Sequence, residues 1–161
     1  YLGREEMYGL CTERGYSPNP DEPYEDLFFR IFLNEIEPKL NAMGAIIVHH
    51  YPAQMAALSK LSADDSRYAE RFELYINGIE IANAFSELTD RNEQEKRLKE
   101  EQTKRRALGK AIYPIDPEFL DAVDHMPESA GIALGVDRLV QALLGCQNID
   151  DVLVLPASKL F

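Results

Sequence analysis

The sequence predicts an α+β protein organised on an antiparallel sheet, and three observations carry that reading. Asn77-Gly78 separates two apolar-rich runs, and a two-residue type I′ hairpin favours Asn-Gly because both of its central positions need positive φ. Short runs at residues 45–51 and 131–134 have the composition of buried strands. Around them lie segments whose apolar residues recur at helical spacing.

In chain order, residues 1–17 read as a short amphipathic helix with Met7, Leu10 and Cys11 on one face, ended by Ser17-Pro18-Asn19-Pro20. Residues 24–40 read as a second helix, with Leu27, Phe28, Ile31, Phe32 and Ile36 at helical spacing and Asp21 and Glu22 ahead of it, where the macrodipole favours acids. Both read as core-packing elements. In the strand at 45–51, His49 and His50 are adjacent, so alternation sends their side chains to opposite faces and denies them a shared metal. Residues 53–62 suit a loop or a short helix, and 64–70 a helical turn. The runs 72–76 and 79–85 pair across Asn77-Gly78, with Ile76 facing Ile79, Tyr75 facing Glu80, Leu74 facing Ile81 and Glu73 facing Ala82. Thr89 or Asp90 caps a long polar helix to about Leu108, stopped by Gly109, and Asp116 caps another to about Val123. Gly135 turns the last buried strand into a helix opened by Asp137, and 151–155 read as an edge strand.

The chain has 161 residues, 45% hydrophobic and 28% charged, which fits one globular domain. No apolar run approaches the roughly 18 residues of a membrane span, and no signal peptide opens the sequence. Two isolated cysteines, Cys11 and Cys146, indicate a reducing, cytoplasmic setting with neither a disulfide framework nor a zinc cluster. A formal net charge of −11 disfavours broad binding to phosphate backbones. Residues 90–110 run against that trend, with eight Lys/Arg to five Asp/Glu, so the remainder is more acidic than the total implies.

Carboxylates inside apolar strands are costly to bury unless they are paired or bound to something. Glu73 and Glu80 fall on one face of the hairpin as diagonal neighbours, about 7–8 Å apart at the backbone. From there both reach a divalent cation with oxygen ligands such as Mg²⁺; the plain alternative is two solvated glutamates. Asn83, Phe85 and Glu87 alternate along one face and offer an amide, an aromatic wall and a carboxylate for a small cationic ligand, against the alternative of an edge strand with a core Phe85. Strict alternation puts Glu80 on the face opposite Asn83 and Glu87. One shared pocket therefore requires a β-bulge between them, which Ala82 and Ala84 would tolerate. Gly131-Ile-Ala-Leu-Gly-Val-Asp-Arg138-Leu joins strand to helix, where Arg138 and the helix start suit a phosphate, or where Asp137 is a cap and Arg138 a surface residue.

Taken together, Glu-x₆-Glu, then Asn-Ala-Phe-Ser-Glu-Leu-Thr-Asp, then Gly-Ile-Ala-Leu-Gly-Val-Asp-Arg-Leu resemble the catalytic core of class II lysyl-tRNA synthetases, the last stretch looking like their third class-defining motif. Tyr51-Pro52-Ala53, the 65–70 segment, Tyr113-Pro114-Ile115-Asp116 and Met126-Pro127 resemble the shorter group without an anticodon-binding domain, the elongation factor P–lysine ligases. The resemblance covers about residues 45–145. It implies a class II synthetase-like antiparallel sheet flanked by helices, with 1–44 as a helical lead-in and 45–161 as the sheet core of one partial catalytic domain.

The activity implied is ATP-dependent formation of an aminoacyl adenylate and transfer of the acyl group to a lysine side chain of elongation factor P. The resemblance places Glu73 and Glu80 on Mg²⁺ and the ATP phosphates. It places Arg138 on the γ-phosphate and near the adenine, as a catalytic residue, and Asn83, Phe85, Glu87, Ala133 and Gly135 around lysine, with Glu87 on its ammonium. Lysyl-tRNA synthetases usually have glycine where Ala133 stands. The added methyl favours β-lysine over α-lysine, by no more than roughly 1–3 kcal/mol. The acidic charge favours a protein acceptor over tRNA.

The first two class motifs, which build the homodimer and supply an α-phosphate arginine, have no counterpart. Phe29-Arg30-Ile31-Phe32 is in a helical pattern and lacks the glutamate. The expectation is therefore a C-terminal half with an exposed sheet edge, active within a full-length homodimer and inactive alone. A lysyl-tRNA synthetase fragment and a non-catalytic binding paralogue are the alternatives.

Overall fold

A computed structural model describes residues 2–160; Tyr1 and Phe161, the ends of the expected 1–161 domain, lie outside the described residues. Helix α1 (Arg4–Glu13) is followed by α2 (Tyr24–Ile31), which continues through a π-helical turn (Phe32–Ile36) into α3 (Glu37–Leu40). The widened turn ends beside Pro38, which has no N–H to continue the i→i−4 ladder. Glu22 is buried at the entry to α2, where it accepts from the Asn19 amide and from Arg30 Nη2 at 2.6 Å. Those bonds, the Arg30 one first, hold its carboxyl below the ordinary range.

Four strands pair antiparallel in chain order: β1 (Ala45–His49), β2 (Arg71–Ile76), β3 (Ile79–Ser86) and β4 (Ala130–Leu134). Asn77 (φ 50°) and Gly78 (φ 78°) make the hairpin turn that their sequence predicts. Between β3 and β4 come α4 (Arg91–Ala107), capped by Asp90 through the amides of Asn92 and Glu93, and α5 (Pro117–His125), capped by Asp116. Helix α6 (Val136–Leu144) follows β4 through Gly135.

Two clusters form the core, the larger between the first helices and the segment that links β1 to β2. Met7 and Cys11 of α1 and Tyr24 and Leu27 of α2 pack with Tyr51, Met55, Ala56 and Ala69. Full burial of a side chain such as Leu27 contributes about 1.5–3 kcal/mol. Phe32 and Leu40 then pack on Tyr75, with Ile46 and Val48 against them, so the helical lead-in covers the β1–β2 end of one sheet face. The other face carries the rows Ile47–Leu74–Ala82–Leu134 and His49–Phe72–Ala84–Ile132. Ile47, Ile132 and Leu134 are exposed there.

Several expectations are corrected. The strands at 45–51 and 131–134 are not buried. They are the two edges of the sheet, with alternating or continuous exposure, and a short apolar run does not by itself distinguish an edge from a centre. Residues 64–70 hold one hydrogen-bonded turn, the Tyr68 N–H donating to the Asp65 carbonyl at 3.1 Å, but no helix; Tyr68 and Ala69 then bridge antiparallel to Pro52 and Leu61. Residues 151–155 form no strand; Asp151 closes a 3₁₀ turn (Ile149–Asp151) capped by Asn148, and no regular element follows it through Leu155. The histidine rings do not diverge. β1 ends at His49, and His50 adopts φ 58°, which brings the two Nδ1 atoms into contact. Alternation holds only while the chain stays extended. Among the described residues no helix is long and apolar enough to cross a membrane, and no group of three or more His, Cys, Asp or Glu is placed to hold a metal.

Candidate active site

The β-bulge demanded by the residue pattern is present. Tyr75 faces Glu80 and Ile76 faces Ile79, as expected, but beyond them Leu74 faces Ala82 and Glu73 faces Asn83, in place of Ile81 and Ala82. The extra residue is Ile81, between Glu80 and Asn83. A bulge leaves backbone groups outside the ladder, and these must be satisfied elsewhere. Gly135 N–H donates to the Ile81 carbonyl at 2.8 Å, and Arg138 Nη1 donates to the Glu80 carbonyl at 3.1 Å. The irregularity that puts Glu80 and Asn83 on one face thus also anchors the β4–α6 turn and brings Arg138 beside Glu80.

With this register the site forms rows across the sheet. Val48, Glu73, Asn83 and Ala133 lie in one row, and Arg71, Phe85 and Gly131 in the next. Glu87 follows β3 at a bridge to Ser59, its amide donating to the Ser129 carbonyl at 2.9 Å. Its carboxylate lies over Gly131, where a Cβ would stand 2.5 Å from Glu87 Oε1. Glycine at 131 is what leaves room for the carboxylate. The structure therefore brings Glu73, Glu80, Asn83, Phe85, Glu87, Ala133, Gly135 and Arg138 to one region.

The two paired carboxylates have different surroundings. Glu73 is buried, and its Oε1 accepts from Arg71 Nη2 at 2.6 Å and Asn83 Nδ2 at 2.9 Å. Its Oε2 accepts from the hydroxyls of Tyr51 at 2.5 Å and Tyr75 at 2.7 Å. Four donors fill the lone-pair directions of a carboxylate. Burial first, and then the hydrogen bond to Glu73 and its charge, push both tyrosine hydroxyls up from their ordinary range, so they remain donors. Glu80 has its side chain 40% exposed, with Arg138 Nη1 4.0 Å from Oε2. Burial of its remaining surface and the charge of Glu73 raise its pKa, while Arg138 and Arg71 pull it back. The two expected metal ligands thus differ in their surroundings: Glu80 presents an outward carboxylate beside Arg138, whereas the oxygens of Glu73 already accept four hydrogen bonds. Mg²⁺ fits at Glu80, since that ion is commonly held by one or two carboxylates together with substrate phosphates.

The residue-pattern reading missed Arg71, Tyr51, Tyr75 and the seat at Gly131. Arg71 had a signal, standing two residues before Glu73 and hence on its face of the strand. Tyr51 had none, because it reaches Glu73 only through the tertiary fold.

These residues share one polar face of the antiparallel sheet. The sequence matches the family of tRNA synthetases class II (D, K and N) over residues 29–159, and the chain belongs to that family. Among individual proteins it is 43% identical over 142 residues to the elongation factor P–(R)-β-lysine ligase of Erwinia tasmaniensis, covering 88% of this chain and 44% of that protein. Ligases of the same name from Photorhabdus laumondii (41% over 140 residues; 86% and 43%) and Histophilus somni (44% over 134 residues; 83% and 42%) are similarly close. The chain spans less than half the length of these curated relatives.

Proposed function

We propose that this chain is the C-terminal part of an enzyme that activates lysine, in its β form, as an aminoacyl adenylate and transfers it to a lysine side chain of elongation factor P. The observation that carries the reading is the bulged β3 strand, which places Glu80, Asn83, Phe85 and Glu87 on one open face beside Arg138. The names of the relatives supply the amino acid and the acceptor. The amino-acid carboxylate attacks the α-phosphorus of ATP and pyrophosphate leaves; the acceptor amine then attacks the acyl carbon and AMP leaves.

Within that reaction Arg138 binds the terminal phosphates, its guanidinium set at the site's edge by the Glu80 carbonyl. Glu80 supplies an oxygen ligand to Mg²⁺, which when bound neutralises phosphate charge. Glu73 stands behind as the anchor of the polar network. Glu87, over Gly131, pairs with the side-chain ammonium, and Asn83, Phe85, Ala133 and Gly135 shape the amino-acid site. Such catalysis rests on positioning and on fixed charge. The full-length protein is a cytoplasmic homodimer in this reading.

The test uses the full-length protein with ATP, each lysine isomer in labelled form, and either elongation factor P or tRNA. Label entering elongation factor P is the expected result; label entering tRNA alone would establish a tRNA ligase instead.

A further inference from the structure

Arg71 opens β2 directly opposite Phe85 and lies two residues from Glu73 on the same face. Its side chain is only 18% exposed, and every edge of the guanidinium is engaged. Nη2 donates to Glu73 Oε1 at 2.6 Å, Nε to Asn83 Oδ1 at 3.3 Å and Nη1 to the Met55 carbonyl at 3.3 Å. Its Cζ lies 4.4 Å from the Tyr51 ring centre. This is the rigid, planar use of arginine that lysine cannot reproduce.

The consequence falls on Asn83. A side-chain amide has two nearly isosteric flip states that exchange its donor and acceptor ends. In the state observed, Oδ1 accepts from Arg71 while Nδ2 donates to Glu73 at 2.9 Å. The flipped state would set an NH₂ against the Arg71 N–H and an oxygen against the Glu73 carboxylate, two repulsive contacts in place of two bonds. Arg71 and Glu73 together admit one orientation. In it, one Nδ2 hydrogen is committed to Glu73 and the second is not, in the row that continues to Ala133.

We infer that Arg71 is a positioning residue for amino-acid recognition. By locking the Asn83 amide it holds a pre-set N–H donor for a carboxylate or carbonyl oxygen of the bound amino acid. The identity of that ligand rests on the adenylate-forming reading above, whereas the orientation of Asn83 does not.

Two measurements on the full-length protein separate the points. Arg71→Lys keeps a cation beside Glu73 but cannot also serve Asn83. It is expected to unfold as cooperatively as the wild type while the ¹⁵N side-chain amide signals of Asn83, assigned with Asn83→Asp, shift and lose protection from exchange. In amino-acid-dependent pyrophosphate exchange its KM for the lysine isomer used is expected to rise about tenfold, the order of one charge-assisted hydrogen bond, with KM for ATP unchanged. A purely structural role would move both constants or neither. Arg71→Gln, with the same two readouts and directions, serves if Arg71→Lys does not fold. Unchanged Asn83 signals, or an unchanged amino-acid KM in an active variant, overturn the inference. If the wild type shows no amino-acid-dependent exchange, the adenylate reading fails, and the amide signals still decide whether Arg71 orients Asn83.

Discussion

Glu73 and Glu80 sit on the same hairpin, on the same face and as diagonal neighbours, yet the fold uses them in opposite ways. Glu73 is enclosed by an arginine, an asparagine and two tyrosines. Glu80 keeps an outward carboxylate beside a half-exposed arginine. The first is a buried charge made tolerable by complete hydrogen bonding. The second retains part of the cost of its charge and is thereby ready for a cation. Residue type and spacing alone give the two positions equal standing, and the partners brought by other segments make one an enclosed carboxylate and leave the other open.

If that division is right, Glu73→Ala costs mainly stability. Removing it leaves Arg71 buried without its carboxylate and the two tyrosine hydroxyls without an acceptor, an effect of about 3–5 kcal/mol by analogy with broken buried pairs. Urea unfolding of the full-length variant measures it, and a loss below about 1 kcal/mol would place Glu73 among surface ion pairs instead. Glu80→Ala and Arg138→Ala are expected to do the reverse, leaving the unfolding midpoint close to wild type. Each should lower adenylate formation by about 10²–10³-fold, the usual loss when one preset charge-stabilising group is removed. Near-normal pyrophosphate exchange in either variant would refute its assignment. A third variant, Gly131→Ala, acts on neither carboxylate of the pair but on Glu87, since its new Cβ would overlap the Glu87 carboxylate. The expected result is an amino-acid KM raised about tenfold with KM for ATP retained, corresponding to one displaced charge-assisted contact; an unchanged amino-acid KM would mean that Glu87 does not hold the ammonium.

What the residues reveal in advance follows from the range over which each interaction acts. The hairpin turn is legible because Asn77 and Gly78 carry their own φ preference. The bulge is legible indirectly: Glu80 and Asn83 are an odd number of positions apart, and only an inserted residue puts both on one face. The caps at Asp90 and Asp116 are local and equally readable. The segment 64–70 is legible only in part, because its turn-like composition gives no sign of Pro52 and Leu61, the partners that draw it into bridges. His50 misleads because one positive φ ends the alternation that the expectation relied on. The enclosure of Glu73 is the clearest case, since Tyr51 is far away in sequence and nothing between them marks the meeting.

The smallest effect isolates the residual cost at Glu80. Burial and the nearby Glu73 charge raise its folded pKa, so the folded protein holds that proton more tightly than the unfolded chain does. The stabilisation from protonation is fully present below the ordinary glutamate value of about 4.3 and is lost as pH rises through the raised folded value. At neutral pH an ionised Glu80 therefore weighs against the fold. Glu80→Gln removes that charge and should raise the unfolding free energy measured in urea at pH 7, by no more than about 1 kcal/mol because solvent screens a partly exposed carboxylate. Near pH 3.5 both side chains are neutral and the difference should vanish. The same comparison at Glu22, whose pKa is held down chiefly by Arg30, must run the other way. Glu22→Gln loses stability at pH 7, and its deficit shrinks as pH falls through the depressed folded value. Opposite signs at these two glutamates would show that environment alone determines whether a carboxylate supports this fold or stands ready for a ligand.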